Sequence, residues 1–301
     1  MVRRIPKHLV RKGMFIESVE CPHAEFSGRR FLLETDDMLR AILASSASHA
    51  LVNGQKSTVA IDGDGPTPAA QQAEARRRTV ETVAQATGAL RGSFDAVRAG
   101  TLQVDTLNPV ADDIADRIDA APDIFLKVTR LKTKDEGTYV HSLAVSALMM
   151  RLARSLGYSD DGVRELGVAG LLHDVGKLMV PNAILRKKGG LEAEERRLMR
   201  NHPEIGYRLL KEQGNVSDTI LDICRHHHEA LDGSGYPAGL RADRISPEIR
   251  LSTVCDVFEA LTSARPYKRP WTARDALNWM FDRGQLFDTK MVVRLGGVFA
   301  G

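Results

Sequence analysis

The segment Val168-Ala-Gly-Leu-Leu-His-Asp-Val-Gly-Lys177 places a histidine and an aspartate directly after a run of small and apolar residues. The apolar run predicts a buried helix that ends at His173 and Asp174. A buried aspartate needs a partner, because a carboxylate loses its hydration when it leaves water. Imidazole and carboxylate are the ligands of zinc, manganese, iron and nickel in proteins. The segment therefore indicates a helical domain with a metal site at the end of one buried helix.

Further candidate ligands lie on other predicted helices. His141 lies on a helix with an apolar face, and Asp256 lies on a helix that begins at Ser246-Pro247. His227 and His228 are adjacent, so on a regular helix they diverge by roughly 100°. Either the helix end distorts, or one of the two binds the metal and the other lies outside it. A single histidine is usually a core residue, but seven such residues in one domain favour a metal site. The predicted ligands are His141, His173, Asp174, His202, His227, His228 and Asp256.

Cationic residues occur close to these candidates in the sequence. Lys177 lies three residues after Asp174, and Arg265 and Lys268 follow Asp256. Lysine and arginine beside divalent metals suit a phosphate substrate, and solvated surface charge is the alternative for each of them. Directly after the paired histidines, the glycines and proline of Asp232-Gly-Ser-Gly-Tyr-Pro237 predict a tight loop beside the site.

The first part of the chain differs from the rest in its periodicity. Residues 1–61 contain short β-prone runs, the last of them Ser57-Thr-Val-Ala-Ile61, and predict a small α+β domain. Residues 62–115 have linker composition followed by a connecting helix, with a break expected near Gly92. Residues 116–301 are helical in nearly every segment. The predicted fold is therefore mainly α, with a helical bundle after a small N-terminal α+β domain.

Composition limits the classes of partner. The net charge of +3 is too small to indicate a polyanion, and the 5% of aromatic residues argue against a stacking surface for single-stranded nucleic acid. No basic stripe supports DNA binding. No apolar stretch approaches the roughly 20 residues of a membrane span, and the N-terminus lacks a secretory signal. The three cysteines form no C-x-x-C pair, so no disulfide framework is indicated. These features predict a cytoplasmic protein.

Five segments, taken in order, resemble the motifs of the HD-GYP subgroup of HD-domain phosphohydrolases. The resemblance covers roughly residues 120–290 and implies an all-α HD-domain bundle. Enzymes of this subgroup hydrolyse the bacterial second messenger cyclic di-GMP with two, sometimes three, metal ions, commonly iron or manganese. The N-terminal segment, residues 5–16, resembles a small domain of unknown function that often precedes HD-GYP. The five segments are His141, His173-Asp-Val-Gly-Lys177, His202-Pro-Glu-Ile-Gly206, His227-His-Glu-Ala-Leu-Asp-Gly-Ser-Gly-Tyr-Pro237 and Asp256-Val-Phe-Glu-Ala-Leu-Thr-Ser-Ala-Arg-Pro-Tyr-Lys268.

The resemblance also implies a role for each ligand. Asp174 would bridge two metals, the first held together with His141, His173 and Asp256, the second with His202, His227 and His228. Members with three metals carry a glutamate where this chain has Gly137. Two metals are therefore expected, although the neighbouring Glu136 could reach the site. Glu259 stands where the family usually has a second aspartate.

The resemblance further implies a substrate site. Lys177, Arg265 and Lys268 match the family's phosphate contacts. Tyr236 is the fourth predicted substrate contact. It lies in the signature loop, which in the family is near the site and is linked to partner docking.

The implied reaction is metal-assisted hydrolysis of a phosphodiester, with Asp174 and Lys177 as its catalytic residues. Two divalent ions would acidify a shared water, and the hydroxide would attack phosphorus in line with the leaving 3′ oxygen. The product pGpG would form first, and a second cut would give GMP. One alternative is an HD hydrolase of another cyclic dinucleotide or nucleotide. Another is a non-catalytic scaffold that binds diguanylate cyclases through the Gly-Tyr-Pro loop.

Overall fold

The computed structural model describes residues 2–21, 30–61, 68–130, 137–187, 189–264 and 270–298. The chain divides into two compact units, Met1–Arg78 and Thr79–Gly301. Most of the described residues lie in helices. The described strands form one four-stranded sheet within the first unit. The expectation of a mainly α fold with a small α+β part at the N-terminus is confirmed. None of the described helices is both long enough and apolar enough to span a membrane.

The first unit consists of an antiparallel sheet, one complete α-helix and the beginning of the next helix. Its strand order is β1-β4-β2-β3, and β1 pairs with β4 along its whole length. Alternate side chains of the strands, among them Ile16 and Val52, are buried together with Met14 and Ile42 in a small core of its own. The elements are β1 (Val2–Pro6), β2 (Phe15–Val19), β3 (Phe31–Leu32), α1 (Asp36–Ala44) and β4 (His49–Asn53).

One expectation for this unit is wrong, because residues 57–61 do not form a strand. The last strand is β4, which ends four residues earlier at Asn53. The Ser57 hydroxyl donates to the Asn53 carbonyl at 2.8 Å and accepts from the Phe15 backbone N–H at 2.8 Å. These side-chain bonds close a turn against the sheet, and they compete with the ladder that a β-prone run would otherwise make.

The second unit packs its helices around one continuous apolar core. Short 3₁₀ turns connect several of them, and one of these, over Val175–Met179, follows Asp174 directly. The helices are α2 (Pro68–Ala99, which begins before the unit boundary), α3 (Asn108–Ala120), α4 (Pro122–Arg130), α5 (Gly137–Ser155), α6 (Asp160–Leu172), α7 (Asn182–Leu185), α8 (Ala193–Arg200), α9 (His202–Lys211), α10 (Asp218–His226), α11 (Pro247–Thr262), α12 (Ala273–Phe281) and α13 (Thr289–Val298).

Helix α2 is continuous through Gly92, so the expected break is wrong. A glycine inside a helix costs about 1 kcal/mol relative to alanine. Burying a large apolar side chain stabilises the helix by about 1.5–3 kcal/mol. Leu90 and Phe94 lie on either side of the glycine and are both fully buried in the core of the second unit. Their burial outweighs the local cost.

Small residues bring α5 and α6 unusually close together. A Cβ atom added at Gly170 would lie 2.6 Å from the Cα atom of Ser146 on α5. The Ser146 hydroxyl donates to the Gly167 carbonyl of α6 at 2.7 Å. This close crossing places His173, at the end of α6, beside His141 on α5, with their ring centroids 5.3 Å apart.

Candidate metal centre

All seven predicted ligands converge at one place in the second unit, although they come from five different parts of the chain. Six of them are buried, and the seventh, His228, is partly exposed. Donor atoms within 4.8 Å of one another form two groups, the first being His141, His173 and Asp174. The second group is His202, His227 and His228.

The carboxylate of Asp174 lies between the two groups. Its Oδ2 atom is 3.6 Å from His141 Nε2 and 3.5 Å from His173 Nε2. Its Oδ1 atom is 3.1 Å from His202 Nε2 and 3.8 Å from His227 Nε2. One oxygen therefore faces each group, as a carboxylate that bridges two cations requires.

Main-chain carbonyls determine the tautomer of three of the histidines. The Nδ1 atoms of His173 and His202 each lie 2.8 Å from the carbonyl oxygen three residues earlier. His227 Nδ1 lies 3.1 Å from the carbonyl oxygens three and four residues earlier. A carbonyl oxygen only accepts, so the Nδ1 atoms donate, and each Nε2 of a neutral ring then presents a lone pair. Burial lowers the pKa of His173, and lowers the pKa of His227 well below its usual range, so both rings are neutral.

These Nε2 atoms face other acceptors. His202 Nε2 lies 3.4 Å from His227 Nε2 and 3.1 Å from Asp174 Oδ1, and with a neutral His202 ring neither contact has a proton to share. Among the described residues, His173 Nε2 and Asp174 Oδ1 are buried without any hydrogen-bond partner. Converging acceptors of this kind are costly to bury unless a cation lies among them. The donor set therefore fits divalent ions that take nitrogen and oxygen ligands.

His141 differs from these three histidines because carboxylates surround it. Its Nε2 is 3.0 Å from Asp256 Oδ1, and its Nδ1 is 2.5 Å from Glu259 Oε2. Burial alone would lower the pKa of His141, but Glu259 and Asp256 outweigh it and raise the pKa to about 9. The Ser263 hydroxyl in turn donates to Glu259. A carboxylate on Nδ1 orients a histidine ring and makes it a stronger ligand through Nε2.

Sequence reasoning named Glu259 but assigned it no function. A spacing of three residues places Asp256 and Glu259 on the same face of α11, so one helix presents both carboxylates to His141. The three-residue spacing of Asp256 and Glu259 is the feature of the sequence from which the contact of Glu259 with His141 could have been predicted.

The adjacent histidines converge rather than diverge. Helix α10 ends at His226, so His227 and His228 lie beyond its regular part, and their ring centroids are only 4.1 Å apart. His228 Nδ1 is also 3.7 Å from Asp256 Oδ2. Burial lowers the pKa of His228 to about 3, against the opposing effect of Asp256, so the ring is neutral. Of the two alternatives left by the sequence, the geometry corresponds to a distorted helix end.

Lys177 lies at the open edge of the cluster. Its Nζ atom is 2.5 Å from Asp174 Oδ2, and 22% of its side chain is exposed. Burial would raise the pKa of Asp174, but the Lys177 ammonium beside it holds that pKa well below its usual range. A partly exposed cation is thus in direct contact with the buried carboxylate of Asp174. Arg265, Lys268 and Glu136, the other residues predicted from the sequence, lie outside the described residues.

The Gly-Tyr-Pro loop is fastened beside His228 by Glu229, a buried residue without an assigned role in the sequence analysis. Its two carboxylate oxygens accept from the backbone N–H groups of Ala238 at 2.7 Å and Leu240 at 3.0 Å. A Cβ atom at Gly235 would lie 2.4 Å from the Glu229 Cα, so only glycine fits there. The loop thereby holds Tyr236, the predicted substrate contact, with its ring stacked on His228 at 4.7 Å.

We expect Glu229→Gln to loosen this loop and leave every metal ligand in place. The side-chain NH₂ of glutamine would face one of the two backbone donors, so one hydrogen bond would become a donor–donor contact. Leaving a buried N–H unsatisfied costs about 1–3 kcal/mol. Urea unfolding measures the loss, and hydrogen exchange at Ala238 and Leu240 locates it. The exposed Glu212→Gln is the control; equal stability and exchange in both variants would contradict the fastening role.

Comparisons with known proteins identify one family and several relatives. The family described as HD domain matches residues 116–291, more than half of the chain. A Pseudomonas aeruginosa protein named cyclic di-GMP phosphodiesterase PA4108 is 38% identical over 314 residues, which cover 97% of this chain and 75% of that protein. A Vibrio cholerae protein named 3′3′-cGAMP-specific phosphodiesterase 2 is 36% identical over 166 residues, covering 54% of this chain and 31% of that protein.

A solved structure supports the same fold. Bd1817, described as an HDG"Y"P protein from Bdellovibrio bacteriovorus, matches over 100% of both chains with a TM-score of 0.59. The two sequences are 16% identical, so the likeness concerns the fold alone. It agrees with the helical bundle expected for the second unit.

Proposed function

Since this chain belongs to the HD-domain family, we propose that it is a metal-dependent phosphodiesterase that hydrolyses cyclic di-GMP. The observation that carries the proposal is the buried cluster in which Asp174 directs one oxygen to each of two histidine groups. The loop that carries Tyr236 beside this cluster has the Gly-Tyr-Pro signature of the HD-GYP subgroup. The substrate is inferred from the P. aeruginosa relative. The match to this chain covers 75% of that relative's length.

The two donor groups support two divalent ions. His141, His173, Asp174 and Asp256 would hold one, and His202, His227 and His228, with Asp174, the other. Iron and manganese are the metals we propose, since both accept imidazole and carboxylate ligands. Bound ions of this kind supply an activated water and stabilise charge on phosphate oxygens. Gly137 occupies the position at which family members with three metals carry a glutamate, and this difference favours two ions rather than three.

The protein's own groups bind and orient the substrate in this proposal. Lys177 would contact an oxygen of the phosphate being hydrolysed, because its ammonium group lies at the solvent-facing edge of the cluster. Arg265 and Lys268, which follow α11 in the sequence, would add further cations. Addition of water across one P–O3′ bond leaves a free 3′ hydroxyl and a 5′ phosphate, which gives pGpG. A second hydrolysis would give two molecules of GMP.

Turnover of cyclic di-GMP by protein loaded separately with manganese and iron tests the proposal. We expect pGpG to appear first by chromatography, with GMP later if the second bond is also cut, and a chelator to abolish both. The bound metal is measured in the same samples. Protein that carries two metal ions but forms neither product would overturn the proposed function.

A second candidate substrate is 3′3′-cGAMP, which the name of the V. cholerae relative favours. The ratio of kcat/KM for the two cyclic dinucleotides decides between them. The scaffold alternative places diguanylate cyclases on the Gly-Tyr-Pro loop, where Pro237 and Ala238 are exposed. Under this alternative, the protein would bind diguanylate cyclases without hydrolysing either dinucleotide. The complete set of seven ligands favours catalysis.

A further inference from the structure

Arg200, the last residue of α8, places its guanidinium over the ring of Tyr236. The guanidinium carbon lies 4.3 Å from the ring centroid. The same ring stacks on His228 at 4.7 Å and an interplanar angle of 28°. A continuous series of contacts therefore joins this arginine to a candidate metal ligand. A cation over an aromatic ring is held near it but keeps its five N–H donors for other partners.

Neighbouring arginines are engaged differently. Arg197 lies nearly one turn earlier on α8, and its Nη2 atom is 2.6 Å from Oε1 of Glu194. Arg225 lies near the end of α10, and its Nε atom is 2.9 Å from Oε2 of Glu204. In the described part of the chain no carboxylate lies within ion-pair distance of Arg200, and its side chain is exposed. An exposed guanidinium without a carboxylate, beside a metal cluster, is suited to bind an incoming anion bidentately.

Tyr236 lies between the candidate metal ligands and a separate cation. Its ring stacks on His228 at 4.7 Å, and the Arg200 guanidinium carbon lies 4.3 Å from the centroid of the same ring. Divalent ions held by the cluster would attract one anionic group, and Arg200 would attract a second. A ligand that reaches both positions must carry two anionic groups that are spaced apart.

We propose that Arg200 is a specificity-determining residue that binds the second phosphate of a cyclic dinucleotide, the one not being hydrolysed. The inference rests on the proposed function. A cyclic dinucleotide carries two singly charged phosphodiesters on opposite sides of its macrocycle. When one lies at the metal cluster beside Lys177, the other is directed away from the cluster, and Arg200 is placed beyond Tyr236 to receive it.

Arg200→Gln separates this role from a structural one when two substrates are compared. Cyclic di-GMP has two phosphates, and bis(p-nitrophenyl) phosphate has one. We expect the KM for cyclic di-GMP to rise about tenfold to a hundredfold, as loss of a charge-assisted bond implies. For bis(p-nitrophenyl) phosphate, kcat/KM and the bound metal should stay within twofold of the wild type. Arg200→Lys should recover part of the loss, and the ion-paired Arg197→Gln is the matched control.

Equal losses on both substrates, or loss of metal, would show that Arg200 only holds Tyr236 and His228 in place, and would overturn the inference. An unchanged KM for cyclic di-GMP would overturn it as well. If the wild-type protein does not hydrolyse cyclic di-GMP, the proposed function fails, and calorimetric binding of cyclic di-GMP to wild type and Arg200→Gln tests the inference separately. Equal binding, or none to either protein, would then reject it.

Discussion

Asp174→Asn is expected to remove at least one metal ion and to reduce cyclic di-GMP turnover by about 10³-fold or more, which corresponds to about 4 kcal/mol in the barrier. Asparagine has one neutral oxygen, so it cannot present an anionic oxygen to both histidine groups. Its NH₂ group would instead face Nε2 lone pairs that now lie 3.1 Å or 3.5 Å from the aspartate oxygens. Hydrogen bonds formed there would stabilise the metal-free protein, although the metal site is lost.

Two measurements on the same samples check this result. Elemental analysis gives the metal content, and thermal unfolding with and without a chelator shows whether metal still stabilises the fold. We expect a chelator to lower the Tm of the wild type by more than that of Asp174→Asn, because fewer metal ions stabilise the variant. Asp222→Asn, an exposed carboxylate on α10, is the control. Full metal content and turnover in Asp174→Asn would contradict the bridging position.

Gly176→Ala is expected to have the second large effect. A Cβ atom at Gly176 would lie 1.9 Å from the His202 carbonyl oxygen and 2.6 Å from the Gly206 backbone nitrogen. Both are backbone atoms, so no change of rotamer relieves the overlap. The turn after Asp174 and helix α9 would have to separate, and His202 would move away from Asp174. We expect a loss of about 3 kcal/mol in the free energy of unfolding and a weaker metal site.

Gly88→Ala is the matched control for this substitution. Gly88 is exposed on α2, and an added Cβ atom would meet nothing within 4 Å. Alanine should therefore stabilise the helix by up to about 1 kcal/mol. Urea unfolding of the metal-free proteins compares the two variants, and metal titration follows the site. If Gly176→Ala unfolds like the wild type and binds metal equally well, the close approach of the turn and α9 has no structural importance.

The sequence was sufficient to predict the helical fold and the set of histidines and aspartates that converge, because these residues stand next to apolar helical runs. It could not predict which oxygen of Asp174 faces which histidine, since that depends on how α6, α9 and α10 cross. The convergence of His227 and His228 depends on the end of α10 at His226, one residue before this pair. On a regular helix the same two residues would point apart.

Contacts between distant segments explain what the sequence analysis missed. Arg200 meets Tyr236 only because α8 packs near the Gly-Tyr-Pro loop, and no local pattern marks it as different from Arg197. The role of Glu229 depends on a loop that folds back over it. Gly92 shows the opposite error, in which a local rule predicted a break that the burial of Leu90 and Phe94 prevents.

The burial of α2 in the second unit has a practical consequence for preparing the enzyme in pieces. Sequence likeness to the family begins at residue 116, but the compact unit begins at Thr79. A fragment cut at residue 116 would lose Leu90, Phe94 and Leu107, and would expose the apolar surface that they cover. Surfaces of that kind promote aggregation. A fragment designed to contain only the catalytic part should therefore begin no later than Thr79, although the family match begins at residue 116.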